Sequence, residues 1–322
     1  MTDTTVNRRT LLAGAATATL AAPALLSTLG PVRAAAPMMG ASAPAFHRIK
    51  LGGFEVTTLR DAARAMDGPH PIFGEDQDAG AVAELMRENN LPTDRMVNGF
   101  TPVLVNTGSE LVLFDTGLGG ENGKLAGQLE AAGYSTDQID TVVITHMHGD
   151  HIGGLMKDGA PVFANARYVT GQAEYDFWSS DDRMGTAAER GANLARSNVV
   201  PLAEKITFIG DGDAVVSGIT GLDTSGHTPG HMSFHLESDG QELMIWGDVA
   251  NHFAASVQRP EWHVRYDMDK EKAVATRKRI FDMAATDGLA ISGYHMPFPA
   301  IGYVEKVGEG YRWTPATYQF EL

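Results

Sequence analysis

The chain has no cysteine, which excludes a disulfide framework, a thiolate zinc site and a cysteine nucleophile. It is also short of cations: 25 Lys and Arg stand against 40 Asp and Glu, a formal net charge of −15, with no polybasic run. That balance repels a phosphate backbone and sets nucleic-acid partners aside. Nor is there a long apolar run. The mild Ala/Gly/Leu stretch to about Leu29 is interrupted by Gly14, Thr17 and Thr19 and broken by Pro23, which is too short for a membrane anchor. With 322 residues, 43% of them hydrophobic, the chain can nonetheless bury one large core or two merged half-cores.

The same stretch follows Asn7-Arg8-Arg9-Thr10-Leu11-Leu12 and leads to Pro31-Val32-Arg33-Ala34-Ala35-Ala36. Paired arginines, a weakly apolar segment and small residues resemble a twin-arginine signal over residues 1–34, cut after Ala34 or Ala35. The expected address is the periplasm or the outside. Cleavage removes Arg8, Arg9 and Arg33 against Asp3 and takes the formal charge to −17. Residues 35–45 read as a linker and residues 46–322 as the catalytic domain.

The densest chemistry lies in Thr145-His146-Met147-His148-Gly149-Asp150-His151-Ile152-Gly153-Gly154. It follows Val142-Val143-Ile144, a buried-strand pattern, so the ligands sit on a loop at a strand's carboxyl end. Imidazoles two apart, His146 and His148, can converge on one cation, while Asp150 and His151 face a second. A single histidine there would be an ordinary polar loop residue. Three imidazoles and a carboxylate together repel one another once protonated unless a cation compensates.

Other segments read as scaffold. Phe46 to Leu59 alternates like a hairpin about Gly52-Gly53, residues 61–80 have loop composition, and Ala81 to Asn89 has a short helical pattern. This arm is where substrate or subunit contacts are expected. Two strand patterns, Phe100–Asn106 and Glu110–Asp115, precede a helix over residues 124–133. Gly171–Trp178 and Thr186–Arg196 are helical. Ile206–Ile209, Ala214–Val216 and Leu222–Thr224 read as strands of another sheet. Asp269 to Ala285 reads as an amphipathic helix with Val274, Ile280, Phe281 and Ala284 inward and its charges outward.

The H-x-H-x-D-H string resembles the signature of the metallo-β-lactamase superfamily. The resemblance implies an α/β fold, an αββα sandwich of two mixed sheets flanked by helices, with a dinuclear site at one edge. It carries further roles onto this chain. Asp115, in Phe114-Asp115-Thr116-Gly117, steadies the histidine loop. His227, the first histidine of His227-Thr228-Pro229-Gly230-His231, is a ligand, and His231 is structural. Asp248, ending Leu243-Met244-Ile245-Trp246-Gly247-Asp248, bridges the two cations, and His295 completes the second site. The first cation takes His146, His148 and His227, and the second takes Asp150, His151 and His295. Redox-active diiron relatives differ in placing an acid inside the H-x-H element. Ligand chemistry favours two zinc ions. Cations about 3.5–4 Å apart can share a water, lower its pKa and present hydroxide to a substrate. Asp150 or Asp248 then shuttles a proton to the leaving group.

Arg48-Ile49-Lys50-Leu51-Gly52-Gly53-Phe54, Leu104-Val105-Asn106-Thr107-Gly108-Ser109, Asp176-Phe177-Trp178 and Gly308-Glu309-Gly310-Tyr311-Arg312 are similar to segments of the methyl parathion hydrolase family. Its members cleave organophosphate triesters, and its relatives open lactones and aryl esters. Their leaving-group tryptophan falls on Trp178, and a homodimer is implied. Glu121-Asn122 replaces an aromatic wall and Asn251 an aliphatic residue, which predicts a more polar pocket. Asn251 and His252 either contact substrate or only order their loop. The expected activity is opening of lactones or cleavage of carboxylic and aryl esters, with phosphotriester cleavage as a promiscuous addition. The rivals are an organophosphate hydrolase, a β-lactamase, for which no clearly placed cationic residue is visible, and an exported metal-binding protein without turnover.

Overall fold

A computed structural model describes residues 38, 40–316 and 319–322. The expected leader, residues 1–34, lies outside them. The first hairpin pairs β1 (Phe46–Leu51) with β2 (Phe54–Leu59) about Gly52, whose φ of +56° suits glycine. Next comes a separate ribbon of β3 (Ala62–Asp67) and β4 (Arg95–Phe100), antiparallel, with α1 (Ala79–Glu88) between them. Residues 62–67 are therefore a strand, where loop composition predicted none. Alanine-rich and without β-branched residues, this strand has little propensity of its own, and its pairing with β4 supplies the order.

The first sheet continues through β5 (Val103–Asn106), β6 (Leu111–Phe114) and β7 (Thr141–Ile144). A minor ribbon of β8 (Met156–Lys157) and β9 (Ala160–Pro161) intervenes before β10 (Arg167–Gly171) and β11 (Ile206–Ile209). The spatial order is β1-β2-β5-β6-β7-β10-β11, antiparallel as far as β6 and parallel from there on. Thus Ile206–Ile209 closes the first sheet, whereas the sequence pattern grouped it with the second. A parallel partner brought in by a crossover leaves no local signature.

The second sheet takes its strands in chain order: β12 (Ala214–Val216), β13 (Ile219–Asp223), β14 (Met232–Ser238), β15 (Gln241–Ile245), β16 (Ala290–Ser292), β17 (Ile301–Val307) and β18 (Gly310–Pro315). Its one parallel pair, β15 with β16, needs a crossover long enough to hold a helix.

Side-chain alternation explains the layering. Val103 and Val105 face one way and Leu104 the other; Val112 and Phe114 oppose Leu113; Leu243 and Ile245 oppose Met244. The first set of faces meets between the sheets, where the Phe114 and Phe234 rings lie 5.2 Å apart. The outer face of the first sheet is covered by α2 (Leu125–Ala131), α3 (Gly149–Ile152), α4 (Gln172–Ser179) and α5 (Glu189–Asn198) through Leu129, Ile152, Trp178 and Ala192. The outer face of the second is covered by α6 (Ala255–Gln258) and α7 (Lys270–Asp287) through Val257, Ile280, Phe281 and Ala284. This is the αββα sandwich. On α7 the charges are not all outside, because Arg277 is fully buried, while Val274 is half-buried.

Candidate metal centre

Strand ends of both sheets deliver the polar groups to one place. β7 runs into His146 and His148, and Asp150 and His151 follow on the first turn of α3. The loop after β13 carries His227, the turn after β15 carries Asp248, and the turn after β16 carries His295. His146 Nε2 lies 3.2 Å from His148 Nδ1, which lies 3.0 Å from His227 Nε2. Asp150 Oδ2 lies 3.8 Å from His151 Nε2 and 3.5 Å from His295 Nε2. Asp248 stands between these groups, with Oδ1 3.3 Å from His151 Nε2, and Oδ2 3.2 Å from His227 Nε2 and 3.3 Å from His295 Nε2. All seven sequence-predicted residues therefore converge, His146, His148, His227 and Asp248 as one group and Asp150, His151 and His295 as another, with Asp248 also 3.3 Å from His151 Nε2 and His295 Nε2.

Four of the five rings are fixed from behind through Nδ1. His151 Nδ1 meets Asp115 Oδ2 at 2.8 Å, His227 Nδ1 meets Asp267 Oδ1 at 2.8 Å, His295 Nδ1 meets Gly99 O at 2.7 Å and His146 Nδ1 meets Thr145 Oγ1 at 3.1 Å. Each then presents Nε2, whereas His148 presents Nδ1. Asp115, held at a left-handed φ of 60°, also accepts from Thr145 N and Oγ1 at 2.9 and 2.8 Å, in the place expected for it. His231 has both nitrogens engaged, Nδ1 with Thr224 Oγ1 at 2.8 Å and Nε2 accepting from Asp248 N at 2.9 Å. Beside it Gly247 has φ +56°, and a Cβ there would lie 2.7 Å from His231 Nε2. Glycine thus lets the chain turn closely enough to aim Asp248.

Two further residues went unseen in the sequence. Asp267, buried, ties His227 to Arg277, whose Nη2 donates to Asp267 Oδ2 at 2.7 Å. Arg277 also donates to Val249 O, Pro260 O and Trp262 O, so one guanidinium fixes the loop that carries Asp267. Glu174, buried on α4, accepts from Met147 N at 2.8 Å, Trp178 Nε1 at 2.7 Å, Thr228 Oγ1 at 2.8 Å and Gly230 N at 2.9 Å. It joins the His146–His148 loop to the His227 loop. Glu174 left a signal, lying one turn before Trp178, and so did Arg277, in the 273-277-280-281-284 helical stripe, whereas Asp267 left none.

The electrostatics divide the ligands. Burial drives His148 down to about 3, with His227 adding to the fall, and drives His146 well down. Burial also pulls on His227, but Asp248 and Asp267 outweigh it and raise the ring to about 9. In His151 and His295 the carboxylates, Asp248 foremost, likewise overcome burial and raise the pKa. Burial works to raise the Asp248 carboxyl, yet His295 and His151 hold it well below the usual range.

The donor set fits divalent cations. His151 Nε2 and Asp248 Oδ1 are shut off from solvent and have no hydrogen-bond partner among the described residues. A tetrahedral ion with nitrogen ligands at about 2.0–2.1 Å sets them roughly 3.3 Å apart, close to the 3.0 and 3.2 Å spacings of the first set. Lone pairs facing one another at that distance need a cation or a proton between them.

A cleft of about 1150 Å³ opens onto His148, Asp150, Asp248 and His295. Trp178 lines it 5.9 Å from the His148 ring. Asn251 lines it too and donates from Nδ2 to Asp248 Oδ2 at 2.9 Å, so it steadies that carboxylate. His252 faces a second cavity of about 630 Å³, and its Nδ1 accepts from Ala254 N and Ala255 N at the start of α6. Glu121 and Asn122 are exposed and do not line the cleft, so the polarity expected from them is missing. Cationic side chains, which the sequence did not place, are present: Arg64, Arg183, Arg190 and Arg265 all line it.

This sandwich and this pair of ligand sets define a metallohydrolase class, and residues 101–286 match the family model of the metallo-beta-lactamase superfamily. The chain belongs to that superfamily. Among its relatives, an N-acyl homoserine lactonase of Bacillus sp. is 29% identical over 119 residues, 37% of this chain and 41% of that protein. The chain thus spans less than half of that curated relative. Two solved structures align over nearly their whole length. AidC, a dizinc quorum-quenching lactonase in complex with a product N-hexanoyl-L-homoserine, has a TM-score of 0.78 and 25% identity, covering 85% of this chain and 98% of that one. AbOPH, a hydrolase in the beta lactamase superfamily, has a TM-score of 0.79 and 28% identity, covering 86% and 99%.

Proposed function

We propose that this chain is a dinuclear metal-dependent hydrolase that opens lactones or cleaves carboxylic and aryl esters, with phosphotriester cleavage as a side activity. The observation that carries the reading is Asp248, set between two histidine-rich groups beside an open cleft. Similarity to lactonases supports the carbonyl substrate. His146, His148 and His227 would hold one cation, Asp150, His151 and His295 the other, and Asp248 both. Bound there, two divalent ions, zinc by the chemistry of the donors, supply Lewis acidity and make water acidic enough to attack near neutral pH.

The chain's own residues do the rest. Asp150, with its side chain 25% exposed against 4% for Asp248, is the carboxylate open to the cleft. Its carboxylate can take a proton from the attacking water and pass it to the departing oxygen. Asp248, accepting from Asn251, stays an anion that orients the site. Trp178 walls the leaving-group side. Export to the periplasm belongs to the same proposal and rests on the Arg8-Arg9 leader.

The test is kcat/KM on metal-replete mature protein for an aromatic lactone, an acyl-homoserine lactone and methyl paraoxon, with His148→Ala as control. Faster lactone turnover, lost in the variant, is expected. Faster paraoxon turnover would make the phosphotriester the main substrate, and metal content without turnover would leave a binding protein.

A further inference from the structure

Resting on the ester or lactone reading above, we propose that the cleft selects substrates that carry a carboxylate away from the scissile bond, held by an arginine rim. In a chain of net charge −15, four arginines line one cleft, and they come from separate elements: Arg64 on β3, Arg183 in the turn after α4, Arg190 on α5, and Arg265 in the loop before α7. The acidic residues lining it are Asp150, Asp248 and Asp267. Asp150 and Asp248 belong to the candidate metal groups, where bound cations would outweigh them, and Asp267 is paired with Arg277 and His227. The mouth is therefore cationic within an acidic protein.

The arginines are poised rather than spent. Arg183 lies over the Phe177 ring, its guanidinium carbon 4.5 Å from the centroid, and its Nε is shielded from solvent with no hydrogen-bond partner among the described residues. A stacked guanidinium is pre-oriented for a planar anion. Of the acids on these segments, Asp181 pairs with Arg196 at 2.5 Å and Glu189 accepts from Gly185 N at 3.0 Å. Arg265 shares Glu75 with Lys270, at 3.8 and 3.2 Å, which leaves an excess of positive charge. The side chains of Arg64 and Arg190 make no hydrogen bond or ion pair among the described residues.

Between the arginines the walls are apolar, through Phe100, Phe177, Trp178, Leu194 and Met268. Low-dielectric walls focus the field of the rim on whatever enters. At about 1150 Å³ the cleft is sized for a small molecule. A neutral acyl lactone or dialkyl aryl phosphate makes no use of the rim, whereas a carboxylate meets a guanidinium through two parallel hydrogen bonds. Substrate selection here consists of the apolar body against Trp178, the scissile carbonyl at the metal cluster and the anionic end on the arginines.

The test compares mono-4-nitrophenyl adipate with 4-nitrophenyl hexanoate, two esters of equal acyl length of which the first ends in a carboxylate, on the metal-loaded full chain. At low salt the anionic ester is expected to lead in kcat/KM by at least about tenfold. The lead should shrink as ionic strength rises and collapse in Arg183→Gln/Arg190→Gln, a variant checked for folding by circular dichroism. Parity of the two esters at low salt overturns the proposal while leaving the hydrolase reading intact. If neither ester turns over, ester hydrolysis itself is wrong. Calorimetric titration of adipate into the metal-loaded protein then decides the rim: affinity weakened at least about tenfold in the double variant supports it, and unchanged affinity overturns it.

Discussion

Asp267 Oδ1 lies 2.8 Å from His227 Nδ1, while its other oxygen takes 2.7 Å from Arg277 Nη2. Asp267 thus couples a ring of the metal cluster to a guanidinium buried under α7. Replacing it with Asn leaves Arg277 without a counter-ion in a site closed to water. The expected loss for Asp267→Asn is about 3–5 kcal/mol of stability. Partners of ligating histidines also set ring orientation and basicity, so metal affinity should fall about 10–100-fold. Zinc titration with a competing chelator checks the second effect independently of turnover. Unchanged affinity would show that His227 needs no support from Asp267.

Glu174 makes a different kind of joint. Both of its oxygens accept two hydrogen bonds each, one pair from Met147 N and Trp178 Nε1, the other from Thr228 Oγ1 and Gly230 N. Burial pushes its pKa up, but four donors and no acceptor at hand favour the anion. In Glu174→Gln the amide nitrogen confronts two of those donors. Each stranded donor costs about 1–3 kcal/mol, and the loops carrying His148 and His227 lose their common anchor. The melting temperature should drop and zinc should dissociate faster. A variant that melts and holds metal like the parent would show Glu174 to be dispensable.

The contrast between these two residues and the ligands marks what the sequence could convey. His146, His148, Asp150 and His151 stand in one string, and His227, Asp248 and His295 each follow a strand pattern, so type and position coincide. Asp267 lies in an irregular loop, and its partners are 40 residues back and 10 ahead. Arg277 occupied an inward helical position that was read only for its apolar neighbours. Ile206–Ile209 was legible as a strand but not as the edge of the first sheet, because that choice depends on a crossover. The arginine rim was invisible for the same reason: its members lie on segments that meet only after folding.

Metal removal should reverse the usual gain of stability with pH. In the metal-free cluster His227 is raised from 6.5 to about 9, and His151 and His295 are also raised. A raised histidine contributes stability in full below its unfolded pKa, about 6.5, and loses it as pH climbs through the folded value. His148, lowered to about 3, and His146, also lowered, act oppositely and weaken the fold below about 6.5. Protein stripped with a chelator should therefore melt progressively lower from about pH 6.5 to 9.5, and loaded protein, whose rings are already deprotonated by the cations, should not follow. Melting curves in chelator across that range decide it. A flat or rising trend would contradict the assigned protonation.

Trp178 is held from two sides, and this gives the cleft a testable wall. Its Nε1 donates to Glu174 Oε1 at 2.7 Å, and a Cβ on Gly191 of α5 would press into the far edge of the indole. Gly191 therefore leaves free the space that the indole edge occupies. In Gly191→Ala the ring must move, and the way left open is toward the cleft and the His148 ring, 5.9 Å off. Overpacking of this kind costs about 1–3 kcal/mol, so a moderate fall in melting temperature is expected. The more telling readout is kinetic. With the indole displaced into the space proposed for the leaving group, KM for an ester with a bulky aryl leaving group should rise well above that for a methyl ester of the same acid, since only the former needs the room. Equal changes for both esters would place Trp178 outside the leaving-group wall and leave its burial as packing alone.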